Sequence, residues 1–328
     1  MGIRNLNRFL RNNCPNSIRS VNMSDLSGKR IAVDISIYLY KYEAENALLE
    51  NMYVMLSIFR HYNITPIFIF DGKPPPEKKA LLQKRREDRE EAQQEYEQLE
   101  HQLKHFNKDD GNNKERQEII ENMTQLKKQM TQINKKKMEK VKSLIRAYGA
   151  TYFDAPEEAD ELCAMLVMEK KVWACLSEDM DLFVYGCTRV LRYFSLLNHN
   201  AILYYMKGIL DELHMTQDQF KEICVLSGTD YNVNANTNAT NTNPNLHSII
   251  KQFRKYQEEN TELPFYNWLI NTTKYVTNLE LLQKIVNMFN LSGCQNKLDI
   301  FKNIKIINGP IKQDDIQSIM KEEGFIFC

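Results

Sequence analysis

Residues 67–79 read IFIFDGKPPPEKK: four apolar residues, then aspartate, glycine, lysine and three prolines. A short run of β-branched and aromatic residues halted by turn formers is the pattern of a strand buried on both faces. The same grammar occurs twice more. Ile31-Ala32-Val33 leads into Asp34 within IAVDISIYLYKY (31–42), and Val172-Trp173-Ala174-Cys175-Leu176 leads into Ser177-Glu178-Asp179-Met180-Asp181. Helical spacing occupies the intervals, from Met52 to Tyr62 and from Glu161 to Lys170. Strands alternating with helices predict an α/β fold with a mostly parallel central sheet flanked by helices. In such sheets functional groups collect beyond the carboxyl ends of the strands, so the acids closing these three strands are expected in one crevice. A single aspartate after a strand is ordinarily a turn former or helix cap; three in that position ask for another reason.

The whole chain supports a large core. It has 328 residues, 43% of them hydrophobic and 26% charged, which excludes global disorder. No apolar run approaches the roughly 20 residues of a membrane span, and the opening MGIRNLNRFLRNN lacks the apolar centre of a signal peptide. Leu6 stands where a myristoylation motif at Gly2 needs Ser or Thr. Seven scattered cysteines without a CxxC pair read as reduced thiols in the cytoplasm or nucleus, not as disulfides or a zinc site.

The charges balance, 43 basic against 43 acidic, but they are segregated. Residues 1–30 carry Arg4, Arg8, Arg11, Arg19, Lys29 and Arg30 against Asp25 alone. Residues 127–146 carry eight basic residues, Lys135, Lys136 and Lys137 among them, against Glu139. Such patches suit a polyanion bound in a salt-dependent way, although a lysine-rich helix is as often only a solvated face.

Between Ala80 and Tyr148 the pattern becomes a long helical hairpin. Ala92, Tyr96, Leu99, Leu103 and Phe106 are spaced 4, 3, 4, 3, and Ile119, Met123, Leu126, Met130 and Ile133 repeat that spacing beyond a polar break at residues 108–114. Two narrow apolar seams with charged remaining faces predict a hairpin projecting from the body; a plain dimerisation coiled coil is the alternative. Residues 232–245 hold seven asparagines in 14 positions, a low-complexity loop. Helices are expected at Leu246–Phe253, Pro264–Ile270, Leu279–Asn290 and Gln313–Lys321. The chain thus divides into a core over 1–231, with the hairpin inserted at 80–148, and an Asn-rich loop with a helical region over 232–328.

Seven acids lie near strand ends and turns: Asp34, Asp71, Glu158, Asp160, Asp179, Asp181 and Asp230. Glu158 and Asp160 open a helix after Ala155-Pro156, where a plain capping role serves Glu158 well but does not explain the set. Gathered in one crevice they would raise one another's pKa unless cations neutralised them. Hard oxygen ligands without His or Cys select Mg²⁺, with Mn²⁺ able to substitute, over zinc. Two such ions about 4 Å apart can activate water and stabilise the leaving oxygen in phosphodiester hydrolysis.

IAVDISIYLYKY, IFIFDGKPPPEKK, YFDAPEEADELCAML (152–166), SEDMDLFVYG (177–186) and SGTDY (227–231), in this order and spacing, resemble the flap endonuclease family of structure-specific 5′ nucleases, as does the opening MGI with Gly28-Lys29-Arg30. The resemblance covers residues 1–231 well and the remainder weakly. It implies a PIN-like nuclease core with a helical arch, in which the seven acids hold two metal ions directly or through water. Asp34, Asp71, Glu158 and Asp160 would serve one ion, with Asp179, Asp181 and Asp230 helping to hold the second. Lys78 and Arg85 match the family's basic pair at the base of the arch, placed to contact the scissile phosphate. Tyr40 matches an aromatic that stacks on a base beside it, although periodicity leaves Tyr38 and Tyr42 as alternatives. Gly2, Asn243 and the Lys135, Lys136, Lys137 run would contact DNA, the run guiding a single-stranded 5′ end through the arch. The implied activity is Mg²⁺-dependent endonucleolytic cleavage of 5′ flaps with 5′→3′ exonuclease action, in DNA replication, repair or recombination. The implied partner is branched or gapped DNA with a 5′ single-stranded end, bound by a monomer.

The sequence also departs from the family. The glycine-rich duplex-gripping turn is replaced by the asparagine tract ending Asn243-Pro244-Asn245, and EEGFIFC carries no sliding-clamp peptide. Asparagine tolerates left-handed backbone, so Asn243 is the expected stand-in for a glycine. The Asn-rich composition suits an AT-rich genome such as that of a large DNA virus. Two other readings remain open from the residues: an RNA-directed 5′ nuclease of the same fold, and a non-catalytic assembly factor using the hairpin to bind partners.

Overall fold

The structure, a computed structural model, describes residues 3–105, 113–231, 244–291 and 305–326. Its centre is a seven-stranded sheet: β1 (Ile18–Asn22), β2 (Arg30–Asp34), β3 (Thr65–Phe70), β4 (Thr151–Asp154), β5 (Ala174–Leu176), β6 (Arg189–Ser195) and β7 (Asn200–Tyr205), in the spatial order β1-β7-β6-β5-β2-β3-β4. The five strands from β6 to β4 run parallel, and the β6–β7 hairpin reverses direction so that β7 and β1 add antiparallel at one edge. The three strands read from the sequence occupy the middle because they can be buried on both faces. Ile31–Val33, Ile67–Phe70 and Ala174–Leu176 are all buried. Four strands gave no comparable signal. β1 and β4 are edges with partly exposed faces, and β6 mixes Arg189 and Arg192 into its apolar run, with a bulge between Arg192 and Ser195.

Helices cover both faces. On one side α1 (Leu6–Asn13), α7 (Ala159–Met168), α8 (Asp181–Val184), α9 (Met206–Leu213) and α10 (Gln217–Ser227) enclose a core with α11 (Leu246–Glu259), α12 (Phe265–Thr272) and α13 (Leu279–Met288). On the other, α2 (Ile35–Ala44), α3 (Leu48–His61), α6 (Lys135–Ala147) and α14 (Gln313–Lys321) pack around Phe59, Phe68 and Leu144.

The long hairpin is built from α4 (Lys79–His105) and α5 (Asn113–Gln129), which pack on each other with Ala92, Ile119 and Leu126 buried. Its expected turn and Phe106 fall largely outside the described residues. It is narrower than the expected span of 80–148, because α6 belongs to the body. Val141, Leu144, Ile145 and Ala147 bury the apolar face of α6 against the α3 side of the sheet. Three of its lysines are tied down there: Lys137 to Glu43, Lys140 to Glu322 and Glu323, and Lys142 to Asp154. Lys135 and Lys136 stay exposed at its start. The stretch 305–312 ties the last helix to the body, with Gly309 N–H donating to Gly149 O (2.8 Å), Lys312 N–H to Ala147 O (2.8 Å) and Arg60 Nη2 to Gly309 O (2.7 Å).

Candidate active site

Four adjacent parallel strands deliver acids to one edge of the sheet. β2 ends on Asp34 and β3 is followed by Asp71. The exit from β4 leads through Ala155-Pro156 to Glu158 and, on the first turn of α7, Asp160. β5 is followed by Ser177, Asp179 and, at the start of α8, Asp181. Gly72 lets β3 and β4 leave side by side, since a Cβ there would lie 1.9 Å from the Ala155 carbonyl oxygen. Its amide donates to Glu157 O at 2.7 Å, and Asp71 Oδ1 accepts from the Ala159 amide at 2.8 Å, capping α7. Asp230 arrives from the turn after α10.

The acids differ in environment. Asp34, Asp160 and Asp181 are buried, Glu158, Asp179 and Asp230 are half-buried, and Asp71 is exposed. Burial, then repulsion from Asp71, pushes the Asp34 carboxyl up to about 8, against a 2.8 Å bond from Ser177 Oγ that opposes the shift. Burial and the neighbouring Glu158 and Asp179 drive Asp160 well above the carboxylate range, and burial with Asp179 does the same to Asp181. Lys78, in the turn Pro76–Lys78 before α4, is the counter-charge. Its Nζ bonds Glu158 Oε1 at 2.7 Å. Burial alone would lower its pKa, but Asp160 and Glu158 outweigh that and push it up. Tyr231 donates to the other Glu158 oxygen at 2.7 Å and lies under the ammonium, 4.8 Å from ring centroid to Nζ. Arg85, nearly two turns into α4, reaches Asp230 at 3.1 Å. The foot of the hairpin therefore brings two cations to the acid cluster, one on Glu158 and one on Asp230.

No three of these acids converge into a closed ligand cage among the described residues. That arrangement suits a small hard cation, because Mg²⁺ keeps several waters and takes only one or two carboxylates. Among the described residues Asp181 Oδ1 is buried with no hydrogen-bond partner, an acceptor whose desolvation only a cation or an ordered water would offset. An all-oxygen donor set with an orphaned buried carboxylate oxygen fits a Mg²⁺ centre.

All seven acids, Lys78 and Arg85 are thus brought to one crevice. Tyr40 is 49% exposed, whereas Tyr38 and Tyr42 are 1% exposed, so α2 presents only the first to solvent. Lys135, Lys136 and Lys137 start a helix of the body, and Gly2 and Asn243 lie outside the described residues. Sequence reasoning missed the parts played by Ser177, which bonds Asp34 and the Asp179 amide (3.0 Å), and by Tyr231. Both carry hydroxyls next to quoted acids, which was the signal for them.

Residues 1–92 match the model of the XPG N-terminal domain and residues 149–230 that of the XPG I-region. Flap endonuclease 1 of Lodderomyces elongisporus is 28% identical over 303 residues, 84% of this chain and 74% of that protein. Flap endonuclease 1 of Glycine max is 32% identical over 250 residues, covering 70% of this chain and 62% of the relative's length. Among solved structures, the catalytic core of Rad2 in complex with a DNA substrate superposes with a TM-score of 0.61 at 20% identity, over 99% of this chain and 95% of that one.

Proposed function

The chain belongs to the flap endonuclease family, and from that premise we propose that it is a structure-specific 5′ nuclease hydrolysing the phosphodiester near the junction of a 5′ DNA flap. The observation that carries the proposal is the crevice itself: six acids following four neighbouring strands and a seventh from the turn after α10, one with an orphaned buried oxygen, faced by two cations on the hairpin foot. Two Mg²⁺ ions would be held, directly or through water, by Asp34, Asp71, Glu158 and Asp160 and by Asp179, Asp181 and Asp230. When bound, the metal would activate water and offset the phosphate's charge.

The chain's own groups supply the rest. Lys78 and Arg85 are already at the crevice but paired with Glu158 and Asp230. An incoming phosphate offers each a second acceptor, so both can add hydrogen bonds where negative charge grows during displacement. Tyr231 holds the carboxylate that Lys78 would share, fixing the ammonium by its ring and its hydroxyl. Ser177 orients Asp34. Tyr40 offers an exposed ring for a base, a contact worth about 1–3 kcal/mol. The α4–α5 hairpin would embrace the single strand, with 5′→3′ exonuclease action at nicks and gaps from the same centre. The protein would work as a monomer in DNA replication, repair or recombination, in the cytoplasm or nucleus.

The test is cleavage of a 5′-labelled DNA flap in Mg²⁺ and in EDTA, beside a matched RNA flap. The expected product is metal-dependent and ends near the junction. Asp181→Ala should lose about a hundredfold or more in rate while retaining DNA affinity. Normal cleavage by that variant would remove Asp181 from the mechanism, and cleavage of RNA alone would reassign the substrate.

A further inference from the structure

Outside the acid crevice, a heavily charged concavity lies at the opposite edge of the sheet among the described residues. A cavity of about 510 Å³ opens beyond the amino ends of β2, β5 and β6. Its charged lining is Lys29, Arg30, Lys170, Lys171, Arg189 and Lys207, and no Asp or Glu contributes to it. None of these six cations is paired with an acid among the described residues, unlike Lys137, Lys140 and Lys142 on α6. The rest of the lining is mostly apolar, with Val167, Met168 and Val172 beside two aromatic rings. Trp173 and Tyr205 line the same space, with the Arg189 guanidinium 5.3 Å from the first ring and 5.9 Å from the second. Trp173 is fixed by its amide, which donates to Arg30 O at 2.7 Å, and Tyr205 is 39% exposed.

A lysine-rich surface is ordinarily dispersed and solvated. Six cations converging on a concavity without an acid repel one another, and an anion relieves that repulsion. The volume is that of a small-molecule pocket. Cations for phosphate and ring faces for stacking are the two halves of nucleotide recognition, and an acidic peptide would leave the rings unused. We propose that this cavity binds a nucleoside phosphate, either a free nucleotide or the phosphorylated end of a nucleic-acid strand, at a site separate from the acid crevice and on the far side of the sheet.

The test is independent of cleavage and uses the full chain in EDTA. Tryptophan fluorescence is titrated with dATP, with a 5′-phosphorylated oligothymidylate and with inorganic tripolyphosphate, on wild type, Trp173→Phe and the double variant Lys171→Glu/Lys207→Glu. The chain has two tryptophans, and Trp268 lies in α12, so the difference between wild type and Trp173→Phe isolates the cavity. Saturable quenching by dATP or by the oligonucleotide is expected, absent in Trp173→Phe and weakened about tenfold or more in the double variant. Tripolyphosphate should compete without quenching. Whichever of dATP and the oligonucleotide quenches at lower concentration identifies the source of the phosphate. Quenching that persists in Trp173→Phe, an unchanged midpoint in the double variant, or no quenching by either probe overturns the proposal. Because no bond is broken and no metal is present, failure here leaves the nuclease reading untouched, and failure of that reading leaves this test valid.

Discussion

At the scale of single residues, the crevice works by unequal partnership. Lys78 touches Glu158 and lies near Asp160 and Asp181, so Lys78→Met leaves those charges less compensated and removes the donor proposed for the phosphate. Its cleavage rate should fall about 10²–10³-fold in single-turnover assays. Tyr231→Phe deletes only the hydroxyl bonded to Glu158 and should fall less, by about tenfold, with the ring contact preserved. A different carboxylate reports on stability. Burial, then Asp218, raises Glu222 from 4.5 to about 7. Between those values the folded chain holds a proton that the unfolded chain has released, so Glu222 makes stability decline as pH rises through that window and adds no slope above it. Glu222→Gln should therefore gain stability over wild type at pH 8 and lose that advantage near pH 4.5, read as the difference in denaturant midpoint. The acids were legible because they follow an apolar run, an Ala-Pro helix start or a Gly-Thr turn. Ser177 and Tyr231 left only a weak signal, since a hydroxyl beside an acid is common and three-dimensional proximity is what reveals its partner.

Among the elements, the hairpin and α6 demonstrate what periodicity can and cannot tell. The 3,4 spacing of Ala92 on α4 and of Ile119 and Leu126 on α5 marks a seam between two helices, and the structure closes it there. The hairpin expected over 80–148 also takes in the lysine-rich stretch beyond Ile133, where that spacing stops. Yet Val141, Leu144 and Ile145 form an apolar face wide enough to bury against the body, and it is the width of the stripe, not its period, that separates a helix of the core from a helix of an arm. Leu126→Asp puts a charge in the seam, at a site 7% exposed. Hydrogen exchange should quicken along α4 and α5 while β2 and β3 stay protected, and flap cleavage should drop more than exonuclease cleavage at a nick. Equal loss of both would detach the hairpin from strand handling. The central strands were legible for the same reason that the edge strands were not: a strand buried on both faces has one composition, whereas β1 and β4 meet solvent and need no apolar alternation.

For the whole molecule, two features set stability. The clustered acids repel one another, so Mg²⁺ should raise the unfolding temperature as any ligand of the native state does, and Asp34→Asn should shrink that increment in a scan with and without EDTA. The second feature is the strap at residues 305–312. Gly149 has φ +69°, and a Cβ there would stand 2.5 Å from the Gly309 carbonyl. Gly149→Ala combines backbone strain with that collision and should cost about 2 kcal/mol or more, seen in chemical denaturation. Strap and last helix cover the flank formed by α3 and α6, where Ile316 and Met320 are buried. Translation reaches this covering segment roughly 4–15 s after it passes Asp230, the last of the acids. A ribosome therefore carries every acid of the crevice into the cell while that flank is still bare, and the enzyme is armed before it is sealed.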